Sequence, residues 1–223
     1  MFRLFCLLIG YACGLFQTSY IYGKAHGIDI REHGSGNAGT TNMMRTMGTK
    51  AGLITFAGDV LKTFAAIFIA WLVFHKSHPD IVPLIKLYAG AGAILGHNFP
   101  FYLKFKGGKG IACTAGLVLS FDPVISILGI ITFFGTFFIT HYVSLGSILV
   151  YAGLMIEFVV MGQLRWGCFA GMGQAQLTET YIVMLCLMCM AYYKHWPNFK
   201  RLAAGTERKT YLSKKNENKN EHE

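Results

Sequence analysis

Apolar residues along this chain gather in blocks separated by short polar segments. Several blocks approach the roughly 20 residues that a helix needs to cross a bilayer. They run over Phe2–Tyr22, Leu53–Phe74, Ile81–Tyr102, Ile111–Phe121, Val124–Tyr142, Val143–Met161 and Leu177–Tyr193. The first is too long for the apolar core of a signal peptide and lacks a small-residue cleavage site, so it is taken as a span. Ile111–Phe121 would rise only about 16 Å against a hydrocarbon core of roughly 30 Å, which predicts a half-helix or a tilted one. The expected fold class is all-α: a polytopic transmembrane helix bundle of about seven spans.

Composition places the chain in lipid. Of its 223 residues 53% are hydrophobic and only 14% charged, outside the range of ordinary soluble domains. Charge then sets the orientation. Lys24, Arg31, Arg45 and Lys50, then Lys104, Lys106 and Lys109, then the basic residues from Lys194 to Lys219 fall in alternate connections and hold 15 of the 20 basic residues. By the positive-inside rule those connections and the C-terminus are cytoplasmic, and the N-terminus faces outward. A single Pro123-kinked helix over residues 111–140 would send the basic tail outside, so seven crossings fit better than six. The same rule accounts for the excess of Lys and Arg without nucleic acid, leaving anionic membrane lipids or small phosphorylated molecules as partners.

Three GxxxG spacings, Gly10/Gly14, Gly92/Gly96 and Gly167/Gly171, would allow close helix approach. The six cysteines are scattered, mostly in apolar blocks, and the Cys186/Cys189 pair lacks the neighbours that would complete a metal site. Residues 1–205 are expected to form one transmembrane domain, and the Lys-, Asn- and Glu-rich 206–223 a solvated cytoplasmic tail.

Three polar segments carry candidate chemistry. His33-Gly34-Ser35-Gly36-Asn37-Ala38-Gly39-Thr40-Thr41-Asn42, followed by Arg45, combines glycine turns, hydroxyl and amide donors and a guanidinium, a composition suited to phosphoryl oxygens. Gly96-His97-Asn98-Phe99-Pro100 leads into Lys104-Phe105-Lys106-Gly107-Gly108-Lys109-Gly110, which opens onto the short apolar block and could cradle phosphate at a helix N-terminus. It is not a Walker A loop, since Leu103 and Gly110 stand where that pattern needs glycine and Ser/Thr. After the last span come Lys194-His195-Trp196-Pro197-Asn198-Phe199-Lys200-Arg201-Leu202, Gly205 and Glu207, with a histidine able to move a proton near neutral pH. Taken singly, each also reads as a loop or a basic membrane flank.

Together, in this order, the three segments resemble the motifs of the bacterial PlsY family, the membrane acyl-phosphate:glycerol-3-phosphate acyltransferases. The resemblance runs from Ile28 to Glu207, with Asp59 and Lys62 in the expected stretch. Ala38, Thr63, Cys113 and Phe199 depart from the pattern without removing a polar motif residue. It implies transfer of a fatty acyl group from acyl-phosphate to the 1-hydroxyl of sn-glycerol 3-phosphate, giving lysophosphatidic acid and phosphate, in the bacterial inner membrane with the site facing the cytoplasm. No cofactor or metal is implied, and a functional link to an acyl-phosphate-forming enzyme is. Ser35, Arg45, Lys104, His195 and Asn198 are carried over as catalytic residues, with Lys104 as clamp on a second phosphate. Asn37, Thr41, Asn42, His97, Lys106, Gly107, Gly108, Lys109 and Gly110 are carried over as substrate-binding, and Glu207 as a structural partner of a basic motif residue. His97 has a plainer alternative, satisfying a backbone carbonyl at a helix end.

His75-Lys76-Ser77-His78-Pro79-Asp80 spells H-x-x-x-x-D, the signature of the unrelated CoA-dependent acyltransferases, but it falls in an outward connection and reads as chance. Asp59 and Lys62, three apart on one helix, are expected to pair, Lys86 to snorkel outward, and Glu157 is a carboxylate inside a span. A transporter of phosphorylated solutes is the rival reading; the lack of any charged side chain from Ile125 to Leu154 speaks against it.

Overall fold

The structure, a computed structural model, describes residues 1–211. Among these the chain is all-helical: α1 (Phe2–Gly14), α2 (Thr18–Ala25), α3 (Thr40–Met47), α4 (Thr49–Phe74), α5 (Val82–Asn98), α6 (Ile111–Leu119), α7 (Pro123–Thr140), α8 (Val143–Gln163) and α9 (Gln174–Ala203), joined by turns and short 3-10 segments. Five stretches are long and apolar enough to cross a membrane: Phe2–Ala25, α4, α7, α8 and α9. The other two of the seven expected spans fall short of that measure, α5 having 17 residues and α6 nine.

Large apolar side chains point both inward and outward. Leu84, Leu87, Ile94, Tyr151 and Phe158 are buried, whereas Leu61, Phe138, Ile139 and Ile156 stand exposed on outer faces. In water such exposure would be costly; against lipid tails it is neutral.

α5 is the central element, buried along most of its length and packed on α1, α4, α6 and α9. Two of the three GxxxG pairs explain its fit, because they face each other. Gly10 and Gly14 of α1 lie against the backbone of Ala89 and Ala93, and Gly92 and Gly96 of α5 against Leu7, Tyr11 and Gly14. A Cβ on Gly92 would strike the Leu7 carbonyl and come within 2.8 Å of the Tyr11 nitrogen. The third pair does not serve a helix interface: Gly167, at φ +62°, and Gly171 lie in the connection between α8 and α9.

The expected first span is broken at 15–17. There Gln17 turns its amide onto the carbonyls of Gly14, Gly96 and His97, at 3.3, 3.3 and 3.1 Å, and so caps the end of α5. The short block is a separate helix. α6 stops before Asp122, whose carboxylate accepts from the Val124 amide at 2.9 Å and starts α7 with Pro123 in its first turn. Lys86, expected to snorkel outward, donates to the Ser120 carbonyl at 2.8 Å and closes the end of α6. The last span extends well beyond its apolar block, because α9 stays helical through Pro197 to Ala203. The third motif is thus part of a helix rather than a flank after it.

Candidate functional site

The site is assembled where four connections meet at one end of the bundle. The 29–39 connection is held by its own polar side chains. Asp29 accepts from the Arg31 amide at 3.1 Å and from its guanidinium at 3.0 and 2.7 Å. These hydrogen bonds from Arg31 hold the Asp29 carboxyl far below its usual range. Gly34 and Gly36, at φ +61° and +71°, supply the left-handed turns that bring Ser35 and Asn37 around. Asn42 fixes the result: its Oδ1 accepts from the Ser35 amide at 2.8 Å, and its Nδ2 donates to Ile30 and His33 carbonyls at 3.1 and 3.0 Å. The Asn42 amide, expected on substrate, holds the loop with these bonds, and Asn42 also lines the cavity described below.

The 99–110 connection folds back under the end of α5. Gly107 and Gly108 donate to the carbonyls of Asn98 and His97 at 3.3 and 3.1 Å, and Gly110, at φ +80°, caps α6. This geometry turns Lys109 inward. Lys104 and Lys106 are both exposed and are not among the residues lining the cavity.

His195 and Asn198 come from one face of α9. The ring Nδ1 of His195 lies 2.9 Å from the Ala191 carbonyl, so Nδ1 carries the proton and the Nε2 lone pair is left for the cavity. Asn198 accepts from Lys109 Nζ and donates to Glu207 at 2.6 Å. Glu207 also accepts from Arg201 at 2.6 Å and Ser144 at 2.8 Å. Burial works to raise the Glu207 carboxyl, but these hydrogen bonds from Asn198, Ser144 and Arg201 outweigh it and bring it below its ordinary value. Burial is also the main influence on Lys109, aided by the Arg201 cation, and lowers its amine to about 8.

Residues 206–211 were expected to begin a solvated tail. They instead run back across the site as a strap: the Thr210 amide donates to the His141 carbonyl at 2.9 Å, and Arg45 donates to the Arg208 carbonyl at 3.0 Å and to Thr210 Oγ1 at 2.5 Å. The rest of that expected tail, 212–223, lies outside the described residues.

These parts enclose a cavity of about 400 Å³. Its lining is mixed: polar side chains from Ser35, Asn37, Thr41, Asn42, Arg45, Asp59, Lys109, His195, Asn198, Arg201 and Glu207, and apolar ones from Leu53, Phe56, Ile111, Phe133, Phe134 and Phe137. His97 reaches it from α5. Ser144, Ser147 and Thr210 were missed from sequence, Arg201 stood in the third segment without a stated role, and Asp59, expected only to pair with Lys62, also lines the cavity. A signal for the two serines existed, since seven-span parity puts the connection at residues 141–142 on the same side as the three motifs. His75, Asp80 and Glu157 are not among the lining residues. The cavity has the chemistry to hold a phosphorylated head and an alkyl chain together.

A family model described as glycerol-3-phosphate acyltransferase matches residues 4–205. The chain is similar to the glycerol-3-phosphate acyltransferases of Clostridioides difficile (40% identical, 91% of this chain and 92% of that one) and Bacillus subtilis (38%, 91% and 95%). It also resembles the crystal structure of PlsY, an integral membrane glycerol 3-phosphate acyltransferase, in its glycerol 3-phosphate form, with a TM-score of 0.77 at 30% identity over 94% of this chain and 96% of that one. The lysophosphatidic acid form of that protein matches with a TM-score of 0.76 at 28% identity, over 94% and 96%.

Proposed function

Because the chain belongs to the glycerol-3-phosphate acyltransferase family, and is an integral membrane protein, we propose that it takes its acyl group from acyl-phosphate. The acceptor is the 1-hydroxyl of sn-glycerol 3-phosphate, and the products are lysophosphatidic acid and inorganic phosphate, in the first acylation of phospholipid synthesis. The observation that supports this reading is a single cavity lined both by the cations Arg45, Lys109 and Arg201 and by the phenylalanines Phe56, Phe133, Phe134 and Phe137.

Acyl-phosphate is an activated mixed anhydride, so the protein's task is charge neutralisation and alignment rather than covalent catalysis. The glycerol hydroxyl attacks the acyl carbon, a C–O ester bond forms, and the acyl carbon–phosphate oxygen bond breaks with the electron pair leaving on phosphate. In net the hydroxyl proton ends on that phosphate. Ser35, Asn37 and Arg45 contact the departing phosphoryl group, and Lys109, with the glycines around it, binds the glycerol phosphate. His195, through Nε2, and Asn198 orient the attacking hydroxyl. Glu207 positions Asn198 and Arg201. The exposed Lys104 and Lys106 serve as an electrostatic approach for two anionic substrates. The site faces the cytoplasm of a bacterial inner membrane, where the 15 clustered basic residues belong by the positive-inside rule. A functional link to an enzyme forming acyl-phosphate follows from the donor.

Purified protein in detergent or lipid is expected to release phosphate from acyl-phosphate only when glycerol 3-phosphate is present. Turnover with acyl-CoA but none with acyl-phosphate overturns the donor assignment.

A further inference from the structure

Two residues of the cavity lining, Asp59 and His97, belong to a buried polar cluster to which the proposed reaction assigns no role. Asp59 and Lys62 of α4 are 1% and 6% exposed. The Lys62 ammonium lies 2.8 Å from Asp59 Oδ1, 2.7 Å from the Phe16 carbonyl and 2.9 Å from His97 Nδ1. The Thr18 hydroxyl donates to the same carboxylate oxygen at 3.2 Å. Asp59, His97 and Cys113 bring potential metal ligands within 4.8 Å of one another, but Lys62 already bonds two of the three. A side-chain cation fills the position a metal would take.

The stoichiometry of this cluster fixes a proton elsewhere. An ammonium has three hydrogens and no lone pair. Its three neighbours here are a carbonyl, a carboxylate and Nδ1, so each must accept. His97 is then unprotonated at Nδ1 and carries its hydrogen on Nε2. The alternative, a neutral amine accepting from Nδ1–H, would leave the buried carboxylate without a cation among the described residues, a costly arrangement. The Nε2 edge of the ring faces Gly108, where an added Cβ would collide with it. The Gly108 amide, in turn, is tied to the His97 carbonyl at 3.1 Å, so ring and loop share one register.

We propose that Lys62, backed by Asp59, is a positioning residue that locks His97 as an Nε2–H donor, and that this donor binds a phosphoryl oxygen of substrate beside Lys109. The proposal rests on the acyl-transfer reading above. It makes the two histidines of the site complementary: His97 presents a hydrogen, and His195 presents a lone pair.

The test is 15N NMR of the histidine-labelled full chain in detergent, with His97 assigned by the signal lost in His97→Gln. The expected result is an acceptor-type Nδ1 and a protonated Nε2, with the Nε2 resonance moving on addition of inorganic phosphate. A protonated Nδ1, or an Nε2 that ignores phosphate, overturns the proposal. The second arm is the double variant Asp59→Leu/Lys62→Met, which removes both charges together and so avoids a lone buried ion. In this variant KM for glycerol 3-phosphate is expected to rise about tenfold or more at nearly constant kcat, the effect of a misaligned hydrogen bond to a charged group. An unchanged KM in a folded double variant also overturns it; should that variant not fold, the wild-type spectra decide. Lack of turnover by the wild type with acyl-phosphate counts against the donor assignment instead, since the NMR arm needs only phosphate binding.

Discussion

Lys109 shows how a residue's surroundings set its chemistry. Its amine is held near 8, below the ordinary lysine value, chiefly by burial and then by Arg201. Below pH 8 it is an ammonium able to bind a phosphate dianion, and above pH 8 it loses that charge. The affinity of the free protein for glycerol 3-phosphate is therefore expected to weaken as pH rises through about 8, measured as KM from pH 7 to 9.5. Lys109→Met should already bind weakly and show no such inflection. Alanine at Ser35, Arg45 or Lys109 should lower kcat/KM by about tenfold to a hundredfold or more, since each removes a bond to a charged group. His75→Ala and Asp80→Ala should leave phosphate release unchanged. The sequence pointed to Lys104 and Lys106 as well as to Lys109 in the 99–110 connection. Which cation turns inward depends on the Gly107 and Gly108 hydrogen bonds to α5, and composition carries no record of those.

Among the elements, α1 and α5 show a pattern that was legible and α9 one that was not. Gly10/Gly14 and Gly92/Gly96 could be found in the chain, but nothing there says that they oppose each other. Gly92→Val would drive a branched side chain into the backbone of α1, at a cost of about 1–3 kcal/mol or more. It is expected to lower the thermal midpoint in detergent by several degrees or to abolish monodisperse protein, whereas Gly171→Ala, in open space, should stay near wild type. In α9 the fall in hydropathy after Tyr193 suggests that the helix ends, yet it continues to Ala203, because Asn198 pairs with Lys109 and Glu207 and Arg201 pairs with Glu207. The strap at 206–211 was equally hidden, being polar and without periodicity. Thr210→Val keeps its shape but removes the hydroxyl that receives Arg45. It should lower kcat/KM several-fold through a less ordered guanidinium, with the thermal midpoint unchanged.

At the scale of the whole molecule, orientation is open to a direct measurement. With the native cysteines replaced, Ser77→Cys should react with a membrane-impermeant maleimide in intact cells, and Lys106→Cys only after permeabilisation. The reverse result would overturn the cytoplasmic placement of the site. α4, which leads from the Arg45 segment to the connection holding Ser77, has 26 residues, about 39 Å at 1.5 Å per residue, long enough to cross the hydrocarbon core. By itself the sequence determined the solvent of this protein, the helical class, the grouping of its basic connections and the three segments with phosphate-binding composition. Those properties follow from local composition and from the length of apolar runs, which lipid reads directly. The tertiary structure alone decided that the first span breaks at Gln17 to cap α5, that Asn42 ties its loop to Ile30 and His33, and that the strap reaches Arg45. Each depends on which distant backbone group is left needing a hydrogen-bond partner, a quantity defined only once the helices have packed.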